Sequence, residues 1–379
     1  MGKKVLIFTA STGHGHNIAA ESLKKELSFH GYQVLTIEPI KEASKSLDTF
    51  IADGYKVLAT KLPKMYGTIY KLSNYELTNN KIARLLIKSL EEKIYELSLL
   101  HKPSLMISTH PLIVKVISSL IEQSKIDVPF ISVITDYQAH QSYISKYVDA
   151  YIAGSSYTKE NLIEKGIDSE KIYTYGIPIR REFHSKECNL KKDDKFTVLL
   201  MGGSMGISAI KKALKNIIAV SYSLKIIVIC GNNDTLKKSL ENKYESNIGN
   251  KIIEILGFTN QIPELMDISD VIITKPGGLT VTESLVKGIP MIIPYYIPGQ
   301  EKENTEILVN AGVAKSAELK ELNEVIETLI EKPQSLKKMR DNIKELTKNH
   351  SLDSTVLLAI SLIEEYEENS NRSIEEYGR

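Results

Sequence analysis

Lys275-Pro276-Gly277-Gly278-Leu279-Thr280-Val281-Thr282-Glu283 is the stretch whose reading decides the fold. It follows the short apolar run Val271–Thr274, which has the composition of a buried strand. A proline and two glycines then end the strand and allow a tight turn with close approach of a ligand. A helix is predicted to begin near Leu279, with Glu283 about one turn in. The N-terminus of such a helix favours negative charge by about 0.3–1 kcal/mol, and Lys275 adds positive charge beside it. A carboxylate in the position of Glu283 can accept hydrogen bonds from both hydroxyls of a ribose. The stretch therefore reads as a phosphate- and ribose-binding turn between a strand and a helix.

Working outward, the same alternation of strand and helix fills most of the chain. Val5–Ala10, Val34–Ile40, Leu105–Thr109, Phe130–Thr135, Tyr151–Ala153 and Tyr173–Gly176 read as strands of one sheet. Thr197–Met201, Ile226–Cys230, Ile252–Leu256, Val271–Thr274 and Met291–Pro294 read as strands of a second. Short, nearly continuous apolar strands separated by amphipathic helices imply parallel sheets covered on both faces. The expected fold class is α/β, with two Rossmann-like doubly wound domains facing each other across a cleft. The expected boundaries are 1–180 for the first domain, 181–195 for a charged linker and 196–350 for the second domain. Residues 351–379 are expected to hold a C-terminal helix and an acidic, frayed tail.

The chain has 379 residues, 42% hydrophobic and 25% charged, enough apolar material for two cores. A net charge of +1 gives no support for nucleic-acid binding. Charge is nonetheless uneven: residues 1–185 carry 23 Lys+Arg against 19 Asp+Glu and seven of the 8 histidines. Two distant cysteines, Cys188 and Cys230, fit neither a disulfide framework nor a metal site. The N-terminus lacks a signal-peptide core, and no run approaches the roughly 18 apolar residues of a membrane span. The expected location is the cytoplasm, with or without peripheral attachment to the inner face of the cell membrane.

Two further loops are rich in glycine. Thr12-Gly13-His14-Gly15-His16-Asn17 lies between strand Val5–Ala10 and a helix expected over Ile18–Leu27. It is not a dinucleotide fingerprint, because Ile18 stands where a third glycine belongs. It puts imidazole where a dinucleotide site keeps bare backbone; His14 and His16 can also be plain loop residues. Met201-Gly202-Gly203-Ser204-Met205-Gly206 follows strand Thr197–Met201, where amides and the Ser204 hydroxyl can cradle a phosphate or simply make a turn.

These motifs together resemble the inverting GT-B glycosyltransferases that include the bacterial lipid II synthase, the plant monogalactosyldiacylglycerol synthases and the bacterial diacylglycerol glucosyltransferases. The lipid II synthase shares the Gly202-Gly203-Ser204 turn and the Leu279–Glu283 run. The overall layout is closer to the diacylglycerol branch, through Gly13–His16, Thr135-Asp136-Tyr137-Gln138-Ala139-His140 and Pro298-Gly299-Gln300-Glu301-Lys302-Glu303-Asn304. The resemblance implies that Glu283 binds the ribose of a UDP-sugar. Gly15, Gly203, Ser204, Lys275, Gly277, Gly278 and Thr280 would surround the donor and its diphosphate. Phe258 would lie against the uracil, and Gln300, Glu301 and Asn304 would serve the sugar. His16 would be the general base on the acceptor, with Asp136 and His140 nearby as alternatives; Asp136 can also be a loop cap. No Asp-x-Asp occurs, so neither a metal ion nor another cofactor is demanded, and helix dipoles, amides and Lys275 can meet the diphosphate charge.

The acceptor side rests on Tyr55–Leu72, which carries Lys56, Lys61, Lys64 and Lys71 without an acidic residue and interleaves Tyr66 and Tyr70. Such a segment suits an anionic lipid surface, each lysine contributing up to about 1 kcal/mol there. It can equally be a helix pair packed on its own domain. The leading expectation is an enzyme moving glucose or galactose from UDP-glucose or UDP-galactose to diacylglycerol. A different lipid or soluble acceptor, a UDP-N-acetylglucosamine 2-epimerase and a UDP-sugar-binding regulator without turnover are the alternatives.

Overall fold

The computed structural model describes residues 3–11, 14–43, 81–185, 187–188, 190–192, 194–202 and 207–377. The chain divides into two compact units. One comprises Met1–Arg180, Pro298–Gln300 and Asn349–Arg379; the other comprises Arg181–Ile297 and Glu301–Lys348.

The first unit holds six parallel strands: β1 (Lys4–Phe8), β2 (Gln33–Ile37), β3 (Leu105–Ser108), β4 (Phe130–Val133), β5 (Ala150–Ile152) and β6 (Ile172–Tyr173). Their order is β2-β1-β3-β4-β5-β6, and the register at the centre sets Val5 against Val34 on one side and Leu105 on the other. Alternate residues of β1 serve opposite faces. Leu6 and Phe8 join Met106 and Phe130 under the helices Lys81–His101 and Pro111–Glu122. Val5 and Ile7 join Ile107 and Ile131 under Ala20, Leu23 and Leu27 of the helix His14–Phe29. Each fully buried aliphatic chain contributes about 1.5–3 kcal/mol, so a strand apolar on both faces is stable only with both layers present.

The second unit holds seven strands: β7 (Phe196–Met201), β8 (Leu224–Ile229), β9 (Asn247–Ile248), β10 (Lys251–Leu256), β11 (Val271–Ile273), β12 (Met291–Ile293) and β13 (Ala314–Ser316). Their order is β13-β12-β11-β7-β8-β10-β9. All pairings are parallel except the last, where Lys251 faces Ile248 across a turn at Gly249, whose φ is +57°. Val198, Leu200, Ile226 and Val228 pack under Ala213, Leu214 and Ile217 of the helix Ile207–Ile218.

Several local expectations change. The strand expected over Val34–Ile40 ends at Ile37, because Pro39 opens the short helix Pro39–Ala43. The strands β9 and β13 were not expected; they have two and three residues, too short for a period. The helix expected from Ile18 begins at His14, which places Gly15 and His16 in its first turn. The acidic tail is not frayed: the helix Leu352–Tyr377 is continuous, and its Leu352, Val356, Ala359 and Ile363 are buried against the β1 face of the first sheet.

Candidate active site

Loops leaving the carboxyl ends of neighbouring parallel strands converge, which is where ligands of such sheets bind. In the first unit β1, β3 and β4 are adjacent, and the residues that follow them meet around His16. The His16 Nδ1 lies 2.7 Å from the Thr109 carbonyl oxygen and 2.9 Å from the Thr135 hydroxyl. A carbonyl only accepts, so Nδ1 carries the proton and Nε2 keeps its lone pair. The Thr135 hydroxyl is also 3.1 Å from the Tyr143 phenol, which donates to the same Thr109 carbonyl at 3.4 Å. Burial, with a further contribution from the Asp136 charge, pushes the Tyr143 phenol far up, so it stays a donor.

Burial lowers the His16 pKa to about 4, partly opposed by the hydrogen bond to Thr109. The imidazole is therefore neutral at neutral pH, as a proton acceptor must be. A second imidazole, His110, packs against it with ring centroids 4.9 Å apart and planes at 69°. Asp136 is buried in the loop after β4. His140 accepts a hydrogen bond on Nδ1 from the Ser142 amide at 3.1 Å and caps the short 3-10 helix Gln141–Tyr143.

In the second unit, Gly277 is the N-cap of the helix Gly278–Val286 and no side chain caps it. The first-turn amides, Thr280 among them, are the donors an anion would meet. Glu283 is buried on the same helix, 6% exposed. A Cβ on Gly277 would lie 3.3 Å from the Lys275 ammonium, so the turn and the lysine are closely packed.

Lys275 does not stand alone as a positive charge. It pairs with Glu301, whose other oxygen accepts from the Ile297 amide at 2.8 Å. Asn304, fully buried, donates to the Pro276 carbonyl at 3.0 Å. Residues 26 and 28 positions downstream thus tie the helix Gln300–Asn310 to the glycine turn. Gln300 opens that helix, preceded by Gly299 at φ +105°, a conformation open to glycine.

Phe258 is 69% exposed at the mouth of a pocket of about 430 Å³. Gly202, Ile210, Cys230 and Leu236 line its wall. A Cβ on Gly202 would fall 1.9 Å from the Ile210 Cδ1, so a larger residue there would displace the Ile210 side chain. Gly203, Ser204, Lys56, Lys61, Lys64, Tyr66, Tyr70 and Lys71 lie outside the described residues. Among the described residues, no group of three His, Cys, Asp or Glu side chains is placed to hold a metal ion.

Residues 16–179 match the family described as monogalactosyldiacylglycerol (MGDG) synthase, and residues 197–359 match the glycosyltransferase family 28 C-terminal domain. The chain is 30% identical over 376 residues to the processive diacylglycerol beta-glucosyltransferase of Bacillus licheniformis, with 96% of each chain covered. It is 31% identical over 363 residues to the enzyme of the same name from Staphylococcus epidermidis, covering 90% of this chain and 88% of that one.

The chain belongs to this diacylglycerol glycosyltransferase family.

It is a UDP-sugar-dependent hexosyltransferase. Its fold is GT-B: MurG from Acinetobacter baumannii superposes with a TM-score of 0.66 at 16% identity, over 96% of this chain and 100% of that one. The first family match ends at residue 179, beside the division of the two units at Arg180 and Arg181, and the second begins at residue 197. The surroundings of His16 in this glycosyltransferase were only partly legible from the motifs. The motifs assign no role to Thr135, Thr109, His110 or Tyr143. The available signal was Ser108-Thr109-His110-Pro111, a polar stretch between a buried strand and a helix opened by proline.

Proposed function

We propose that this enzyme transfers glucose from UDP-glucose to the hydroxyl of 1,2-diacylglycerol with inversion, working at an anionic membrane surface. The observation that carries the reading is His16, a neutral imidazole with Nδ1–H directed at the Thr109 carbonyl and Nε2 unprotonated. In this reaction Nε2 takes the proton of the glycerol hydroxyl while that oxygen bonds to C1 of the glucose. The C1–O bond to the diphosphate breaks on the opposite face, and its electron pair leaves with UDP. The products are a β-glucoside, UDP and a proton on His16. A positioned base of this kind contributes about 10²–10⁴-fold.

The donor roles fall to the second unit and the loop that follows β12. Glu283 binds the ribose hydroxyls, and the amides of Gly278 and its turn, with Lys275 and the Gly203-Ser204 turn, hold the diphosphate. Phe258 covers the uracil and Gln300 reaches the sugar. Glu301 acts on the donor through Lys275. The names of the relatives favour glucose, and the basic stretch Tyr55–Leu72 supports a lipid surface. No helix among the described residues is long and apolar enough to cross a membrane, which suits attachment by such a segment.

The test supplies diacylglycerol in vesicles with and without anionic lipid, together with UDP-glucose or UDP-galactose, and separates the lipid products on thin layers. The expected result is a β-glucosyl lipid, formed faster on anionic vesicles. A galactolipid from UDP-galactose alone, or no lipid product from either donor, would overturn the proposal.

A further inference from the structure

His110 has no role in the chemistry so far, yet its ring packs against that of the proposed base. It is 9% exposed, and its Nδ1 is buried without a hydrogen-bond partner among the described residues. A buried polar atom left unpaired costs about 1–3 kcal/mol, which an apolar ring of similar size would avoid. Stability alone therefore does not account for an imidazole at this position. Its placement is also tightly fixed. Pro111 opens the following helix and restricts His110 to extended backbone, here φ −124° and ψ 131°. The Ser108 hydroxyl donates to the His110 carbonyl at 3.1 Å and lies 3.3 Å from its amide, closing the strand end around it.

The consecutive residues Thr109 and His110 thus hold His16 in two ways. The Thr109 carbonyl accepts from Nδ1–H and fixes where the ring points. The His110 ring lies at 69° against it and fixes its tilt. Two helix starts carry the partners: His16 sits in the first turn of His14–Phe29, and His110 is the N-cap of Pro111–Glu122. A hydrogen bond by itself leaves rotation about its own axis, and a ring packed edge-to-face removes it. When His16 takes up a proton, the neighbour must also tolerate the new cation. Burial and the adjacent His16 both hold the His110 imidazole in its neutral form, so it offers an aromatic ring and not a second positive charge.

We propose that His110 is a positioning residue that braces the His16 ring edge-to-face during transfer. The inference rests on the assignment of His16 as the base. It makes Thr109-His110 one functional unit around the base.

The test uses full-length His110→Ala and His110→Phe, with kcat and KM measured separately and the order parameter of the His16 ring measured by 13C relaxation. His110→Ala is expected to lower kcat roughly 10–100-fold, the cost of a misplaced reacting group, with KM for UDP-glucose within about twofold. The His16 ring should become more mobile in the same variant. His110→Phe keeps an aromatic ring in the space and should recover most of the lost kcat and ring order. An unchanged kcat in His110→Ala, a Phe variant no better than Ala, or an equally ordered His16 ring in all three proteins overturns the inference. If His16→Ala retains turnover, the base assignment itself is wrong, whereas ring order still decides the bracing.

Discussion

Replacing Lys275 by Met removes the cation from the donor turn and leaves Glu301 charged beside it. The Glu301 side chain is 11% exposed and that of Lys275 22%, so among the described residues the carboxylate would keep the Ile297 amide as its partner. Breaking a fully buried pair costs about 3–5 kcal/mol; the residual exposure here points below that range, to about 2–3 kcal/mol. For a domain of this size each kcal/mol moves the midpoint by about 2–4 °C, so unfolding should shift down by roughly 5–10 °C. Loss of a charged hydrogen bond to phosphate should separately weaken UDP by about 1.5–3 kcal/mol, a factor of roughly 10–150 in Kd. The double variant Lys275→Met with Glu301→Gln separates the two effects. It removes the stranded charge and keeps an acceptor for Ile297, so thermal stability should largely return while UDP binding stays weak. Thermal unfolding by circular dichroism and calorimetric titration with UDP read the two quantities. Native UDP affinity in the double variant would refute a phosphate contact for Lys275, and an unshifted midpoint in the single variant would refute the electrostatic argument.

Two further expectations concern protons and metal. The His16 pKa is depressed from 6.5 to about 4, so above pH 6.5 the folded and unfolded chains both carry it neutral. As pH falls from 6.5 to 4, only the unfolded chain takes up the proton, and stability declines across that window. Urea midpoints at pH 7 and pH 5 should therefore differ less in His16→Asn than in the native enzyme; an equal or larger difference in the variant contradicts the burial argument. Turnover should persist in EDTA without added divalent ion, since amides, the helix N-terminus and Lys275 meet the diphosphate. Activity lost in EDTA and restored by Mg²⁺ would move that role to a metal.

What could be read from the sequence was whatever one segment specifies by itself. The turn Lys275–Glu283 lies between a buried strand and a helix whose period and glycines are contiguous, so β11 and the helix Gly278–Val286 were expected nearly where they stand. The same held for most central strands, whose apolar runs need no partner to be recognised. The elements missed had no such run: β9 has two residues, and β13 carries Lys315 and Ser316 at the sheet edge. The helix containing His16 was placed four residues late because its first turn, His14-Gly15-His16-Asn17, has neither an apolar face nor good helix formers. The acidic tail Glu364–Arg379 is expected to fray by composition, and it is helical as far as Tyr377 because the preceding turns are anchored by Val356, Ala359 and Ile363.

The two halves of the proposed chemistry differ in the same respect. On the donor side, the turn and its ribose carboxylate come from one strand–helix unit, and a motif can identify them. Even there, the pairing of Lys275 with Glu301 joins residues 26 positions apart, which no single segment reveals. On the acceptor side, the surroundings that would make His16 a base are spread over Thr109, His110, Thr135 and Tyr143, brought together because β1, β3 and β4 are neighbours in the sheet. Strand order is a property of the folded sheet, and no local pattern carries it. A histidine can thus be picked out from its place in a glycine-rich turn, but its protonation state and orientation follow from residues about a hundred positions away.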